Sequence, residues 1–165
     1  FQDYFVRRKY EPIIQSVDFY GVKSAQASAI FQQVMRITQA VIFCPSNPVL
    51  SIGPILAVPE VSMALERFSG LRLAVSPIVG GQAIRGPAAK IMRELGEDAS
   101  CVGVAKRLSR VCDVIVIDTK DIDRVDDIKA LGLEPVVLDT IMNTQADKNR
   151  LAVDIIRLIE KRLRE

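Results

Sequence analysis

The stretch Ala40-Val-Ile-Phe-Cys-Pro-Ser-Asn-Pro-Val-Leu-Ser-Ile-Gly-Pro54 decides how this sequence is read. Its first five residues form a continuous apolar run of strand length, the pattern of a strand buried on both faces. The run breaks at Pro45 into a loop rich in Ser, Pro and Gly. Two hydroxyls and one amide stand in that loop, where prolines fix the backbone and Gly53 permits close approach. A buried strand followed by a polar, rigid loop is the unit from which parallel α/β sheets are built.

The same unit recurs on both sides. Upstream, after a short extended piece around Val17 to Tyr20, Ala25 to Gln39 carries Ile30, Val34 and Ile37 at helical spacing. Downstream a helix opens at Pro59 and stops at Gly70. Leu71 to Ser76 is a second strand, and Pro77 to Gly86 a second loop. Pro87 to Leu95 and about Asp98 to Leu108 follow as helices, with Gly96 between them. Asp113 to Asp118 is the third strand, and Asp121 is expected to cap a helix that reaches Leu131 and stops at Gly132. Glu134 to Asp139 is the fourth strand, and Ala146 to Arg164 a long closing helix. With no Asn-Gly hairpin signal between them, these strands are expected to run parallel under helices on both faces. Right-handed crossovers then gather the loops at 45–54, 76–86, 118–121 and 139–145 along one sheet edge, where open sheets bind ligands.

Composition narrows the chemistry. With 49% hydrophobic and 25% charged residues in a 165-residue chain, there is apolar material for one substantial core. Lys+Arg 22 against Asp+Glu 20 gives a formal charge of +2, which offers no long-range attraction for nucleic acid. The chain has no histidine, so Ser-His-Asp catalysis and the usual zinc sets are excluded. Cys44, Cys101 and Cys112 form no CxxC pair and each sits in an apolar run, as inert core thiols of a reducing, cytoplasmic compartment do. No apolar run approaches the ~20 residues that span a bilayer. The opening Phe-Gln-Asp-Tyr-Phe-Val-Arg-Arg, aromatic and without an initiator Met, is expected to follow an upstream portion.

The loops then supply candidate residues. In 45–54, Ser46, Asn47 and Ser51 can meet phosphate oxygens or a base edge; an ordinary turn capped by its own Ser and Asn is the alternative. In 76–86, Ser76, the pair Gly80-Gly81 and Arg85 suggest a backbone anion cradle, with Lys90 one helical turn later. The loop lacks the Gly-Lys-Ser/Thr ending of a Walker A motif. Asp118 and Asp139 end two strands at the same edge, where a carboxylate can hold Mg²⁺, orient a hydroxyl, meet a base edge, or simply cap a helix. No residue stands out as a general base.

Four strings in this order, FQDYFVRR at 1–8, PSNPVLSIGPIL at 45–56, SPIVGGQAIRGPAAKIM at 76–92 and DTIM at 139–142, resemble the phospholactate transferase (CofD) family of coenzyme F420 biosynthesis. The resemblance covers essentially the whole chain. It implies a doubly wound, mostly parallel, Rossmann-like α/β domain over 1–165, incomplete at its N-terminus because it corresponds to the family's C-terminal portion. The implied reaction moves a phospholactyl or phosphoenolpyruvyl group from a guanosine diphosphate-linked donor to the deazaflavin Fo, releases GMP and requires Mg²⁺. Ser46, Asn47 and Ser51 fall in the family's ligand-facing loop, and Gly80 and Gly81 in a neighbouring one; Gly53, Ser76, Arg85 and Asp139 join the candidate binding residues from the reading of the loops themselves. Related regulators of the same fold bind nucleotide-sugars without turnover, which leaves a non-catalytic module as the alternative reading. A homodimer stays open.

Overall fold

The computed structural model describes residues 1–84 and 86–164. The helices are α1 Ala29–Met35, α2 Gly53–Ala57, α3 Pro59–Glu66, α4 Ala88–Glu94, α5 Cys101–Leu108, α6 Val125–Lys129 and α7 Gln145–Arg162. The strands are β1 Ala40–Phe43, β2 Leu71–Val75, β3 Ile78–Val79, β4 Gln82–Ala83, β5 Val114–Asp118 and β6 Glu134–Leu138. β1, β2, β5 and β6 form one parallel sheet in that order, with Ala40 opposite Leu71, Leu73 opposite Val114 and Val114 opposite Glu134. The expected strands and their direction are thus present.

Alternation along the strands divides the core in two. Ala74, Ile115 and Ile117 point to the face covered by the helices of the chain's middle, where Ile91, Met92, Val104 and Leu108 are buried against them. Leu73, Val75, Val114 and Val116 point the other way and meet Leu151, Ile155 and Ile159. Those three stand at intervals of four on α7, so one stripe of one helix covers β2 and β5 on that sheet face. α7 begins with a capping box: the Thr144 hydroxyl accepts from the Asp147 N–H, and the Asp147 carboxylate accepts from the Thr144 N–H at 2.7 Å. Cys101 and Cys112 are buried, and burial pushes both thiols up to about 12.

Five expectations change. β1 is an edge strand, paired on one side only, with Ile42 and Cys44 exposed; its apolar run is not sealed on both faces among the described residues. The upstream helix is shorter, Ala29–Met35, because Ser28 caps it and accepts from the Phe31 N–H. It turns Phe31 and Met35 onto the core, while Ile30, Val34 and Ile37 are exposed. Gly80-Gly81 forms a two-residue hairpin turn between antiparallel β3 and β4. Both glycines have positive φ, 57° and 72°, as a primed turn demands. Asp121 caps nothing: Asp118 precedes the tight turn Thr119–Arg124, and the buried Asp121 carboxylate accepts instead from the Gly80 N–H at 3.0 Å.

Candidate functional site

At the carboxyl edge of the sheet the loop after β1, the start of the loop after β2 and the segment after β6 enclose a pocket of about 160 Å³. Its polar walls are Ser46, Asn47, Ser76, Thr140 and Lys148, and its floor includes Pro45, Pro77, Ala88 and Met142. Among the described residues no carboxylate lines it. Such a surface, with the Ser46 hydroxyl, an amide and an ammonium in a concave site, is suited to an oxyanion.

Asn47, Ser76 and Thr140 are each positioned by a local device. Asn47 caps the wide turn Pro48–Ile52: its Oδ1 accepts from the N–H groups of Val49 and Leu50, both at 2.9 Å. That fixes the side chain and uses its acceptor, while the amide nitrogen keeps its hydrogens for a ligand. The Ser76 hydroxyl is folded into its own loop, donating to the Ile78 carbonyl and accepting from the Ile78 N–H. Thr140 is buried, and both its N–H and its hydroxyl donate to Asp118 Oδ2, at 2.9 and 3.1 Å. Asp118 therefore ties the end of β5 to the segment after β6. Burial pushes its carboxyl up, but hydrogen bonds from Lys120, Thr140 and Thr119 outweigh burial and hold it below the usual carboxylate range.

The pocket brings Ser46, Asn47 and Ser76 together. It does not include Ser51, Gly53, Gly80, Gly81 or Asp139. Ser51 is exposed on the wide turn, and Gly53 faces Phe19, whose ring lies 3.1 Å from where a β-carbon would stand. The Asp139 carboxylate pairs with Arg150 at 3.0 Å and accepts from the Ile141 N–H. Lys90 is engaged by Glu94 and by the Pro12 carbonyl. Arg85 lies outside the described residues. Thr140 and Lys148 are the lining groups that sequence reading missed. Thr140 lay inside the quoted DTIM string, whereas Lys148 carried no signal beyond being one lysine on a polar helix.

Mg²⁺ finds no cage here: among the described residues no group of three Asp, Glu, Cys or His could hold a metal ion. The strand-end aspartates are spent on bracing loops. Burial, with repulsion from Asp118 and Asp123 behind it, pushes the Asp121 carboxyl up, which further unsuits it as a hard-cation ligand. Nor is any single helix among the described residues long and apolar enough to cross a membrane.

An open parallel sheet with a polar pocket past its strand ends is the architecture of a doubly wound α/β protein, a class that binds ligands at this edge. The sequence profile of 2-phospho-L-lactate transferase CofD matches residues 2–159, and the chain belongs to that family. It is similar to the 2-phospho-L-lactate transferases of Methanococcoides burtonii, 32% identical over 96% of this chain and 51% of that protein, and of Methanococcus maripaludis strain C7, 35% identical over 98% and 51%. That of Methanosarcina mazei is 34% identical over 94% and 50%. The chain spans about half the length of these curated relatives.

Proposed function

We propose that this chain forms the diphosphate-binding side of a 2-phospho-L-lactate transferase, a phosphorus-group transferase of coenzyme F420 biosynthesis acting in the cytoplasm. The donor is a guanosine diphosphate-linked phospholactate or phosphoenolpyruvate, and the acceptor is the deazaflavin Fo. A primary hydroxyl of Fo attacks the phosphorus that bears the small acid; the bond from that phosphorus to the bridging oxygen breaks, GMP leaves with that oxygen, and the hydroxyl proton passes to solvent. The observation that carries this reading is that Ser46, the Asn47 amide and Lys148 offer donors to one pocket, shaped in part by Thr140, and that no carboxylate lines it among the described residues.

These residues bind and orient rather than exchange protons. The Ser46 hydroxyl and the Asn47 amide hydrogens donate to diphosphate oxygens, and transfer of this type depends chiefly on positioning and on neutralising charge. Mg²⁺ is proposed as a companion of the diphosphate oxygens, since this chain offers no acidic cluster of its own among the described residues.

Calorimetric titration of the chain with GDP and Mg²⁺ tests the reading. Ser46→Ala is expected to weaken binding at least about tenfold, the loss of one hydrogen bond to a charged group. Asn47→Asp keeps the acceptor that caps the turn and adds a negative charge beside the phosphates, so it is expected to abolish measurable binding without unfolding the loop. A folded wild-type chain that ignores GDP, or an Asn47→Asp chain that binds it as well as wild type, overturns the proposal.

A further inference from the structure

We propose that Lys148 is the phosphate-positioning cation of this site, an inference that rests on the diphosphate-binding reading and deepens it. Lys148 is the one cationic residue among the described residues that lines the pocket holding Ser46, Asn47 and Thr140. Of the other basic groups near the sheet edge, Arg150 is committed to Asp139 and to the Ile141 carbonyl and Lys90 to Glu94 and Pro12, while Lys120 does not line the pocket. Among the described residues Lys148 makes no side-chain hydrogen bond or ion pair.

Two details suit it to the role. The acid beside it in sequence, Asp147, is occupied by the capping box, where it accepts from the N–H groups of Asn143 and Thr144, so its charge is directed at backbone donors. Lys148 also borders a second, almost wholly apolar cleft of about 210 Å³, between β1 and α7, lined by Ile42, Cys44 and Leu151. A lysine on the boundary of an apolar cleft and a polar pocket lays its methylenes on the first and carries its ammonium to the second. The stem restricts where the charge goes, and a flexible side chain becomes a directed one. Its place in the first turn of α7 adds the positive end of the helix dipole to the same region.

The prediction separates phosphate recognition from nucleoside recognition. In titrations with GDP, pyrophosphate and guanosine, Lys148→Ala is expected to weaken GDP and pyrophosphate about tenfold. It should leave guanosine unchanged and reduce the salt dependence of GDP binding. Lys148→Arg is expected to bind GDP within about threefold of wild type, because it keeps the charge. Equal GDP affinity for wild type and Lys148→Ala overturns this role and leaves the diphosphate site standing. A wild-type chain that binds neither GDP nor pyrophosphate overturns both. Pyrophosphate binding that depends on Lys148, without tighter binding of GDP, keeps the role and overturns the guanine nucleotide as ligand. As Lys148 is exposed, the alanine variant should keep the wild-type melting midpoint, which excludes unfolding as the cause.

Discussion

Residues 1–40 and residues 41–164 are both rich in large apolar side chains, yet only the second region has a core. No residue in the first 40 is buried, whereas β5 is buried along its entire length. The first region lies over the second as a strap. Tyr4, Ile14, Val17, Phe31 and Met35 touch the core, and the hydrogen bonds that pin the backbone include the Ile14 N–H to Glu94, the Ala27 N–H to Glu60, Lys90 to the Pro12 carbonyl and the Leu71 N–H to the Gln39 carbonyl. Phe1, Ile13, Tyr20, Ile30 and Ile37 remain exposed. Hydrophobic composition and hydrophobic burial are therefore separate properties, and what joins them is a second surface within reach.

The sharpest break of this contrast comes from the body. Ile115 is fully buried at the centre of the sheet, so Ile115→Ala is expected to cost about 2–5 kcal/mol in urea unfolding, through lost burial and the cavity left behind. A cost below that of any strap substitution would place the core elsewhere.

A smaller effect, and one that depends on pH, is expected at Asp118. Its carboxyl titrates below its unfolded value, so folding favours the ionised form. This contribution is complete above the ordinary carboxylate pKa of about 4 and is lost as pH falls through the depressed folded value. Asp118→Asn is expected to cost about 1–3 kcal/mol at neutral pH and almost nothing once the wild-type carboxyl is protonated, as followed by urea midpoints across pH. An equal cost at both ends would mean that the carboxylate charge does not hold Thr140.

Within the strap the effects shrink further. Glu94→Gln leaves an acceptor for the Ile14 N–H but removes the ion pair with Lys90, and should cost under about 1 kcal/mol. Hydrogen exchange is the finer measurement: the Ile14 and Ala27 amides should exchange well before those of β5, and Ile14 faster still in the variant. Least of all, Ile30→Ser should stay within about 0.5 kcal/mol of wild type, while its neighbour Phe31→Ala costs more. The reverse order would show that Ile30 is covered in solution.

That last pair also shows what the sequence could and could not disclose. The apolar runs of β2 and β5 announced buried strands, and the alternation of strand and helix announced a parallel sheet, because both are local properties of the chain. The register of burial on α1 was not local: Ile30-Val34-Ile37 and Phe31-Met35 are both apolar stripes, and only the position of the strap on the body chooses between them. β1 misled for the same reason, since an apolar strand looks alike at an edge and in the middle. Gly80-Gly81 was a hairpin signal read as an anion cradle, for glycine serves both. In the pocket, Ser46 and Asn47 were visible as polar groups beyond a strand. Thr140 depends on a carboxylate 22 positions away, and Lys148 on a helix folding back over β2, so neither was legible before the fold was known.

The position of α7 has one more consequence. The helix that packs on one face of the sheet also carries Lys148 to the pocket, so covering that face and completing the pocket are one event. Occupancy and folding are then linked quantities: a ligand at 100 times its Kd adds about 2.7 kcal/mol to the folded state. Heat becomes a reporter of recognition, and a panel of phosphorylated compounds can be ranked by the temperature at which this single helix lets go.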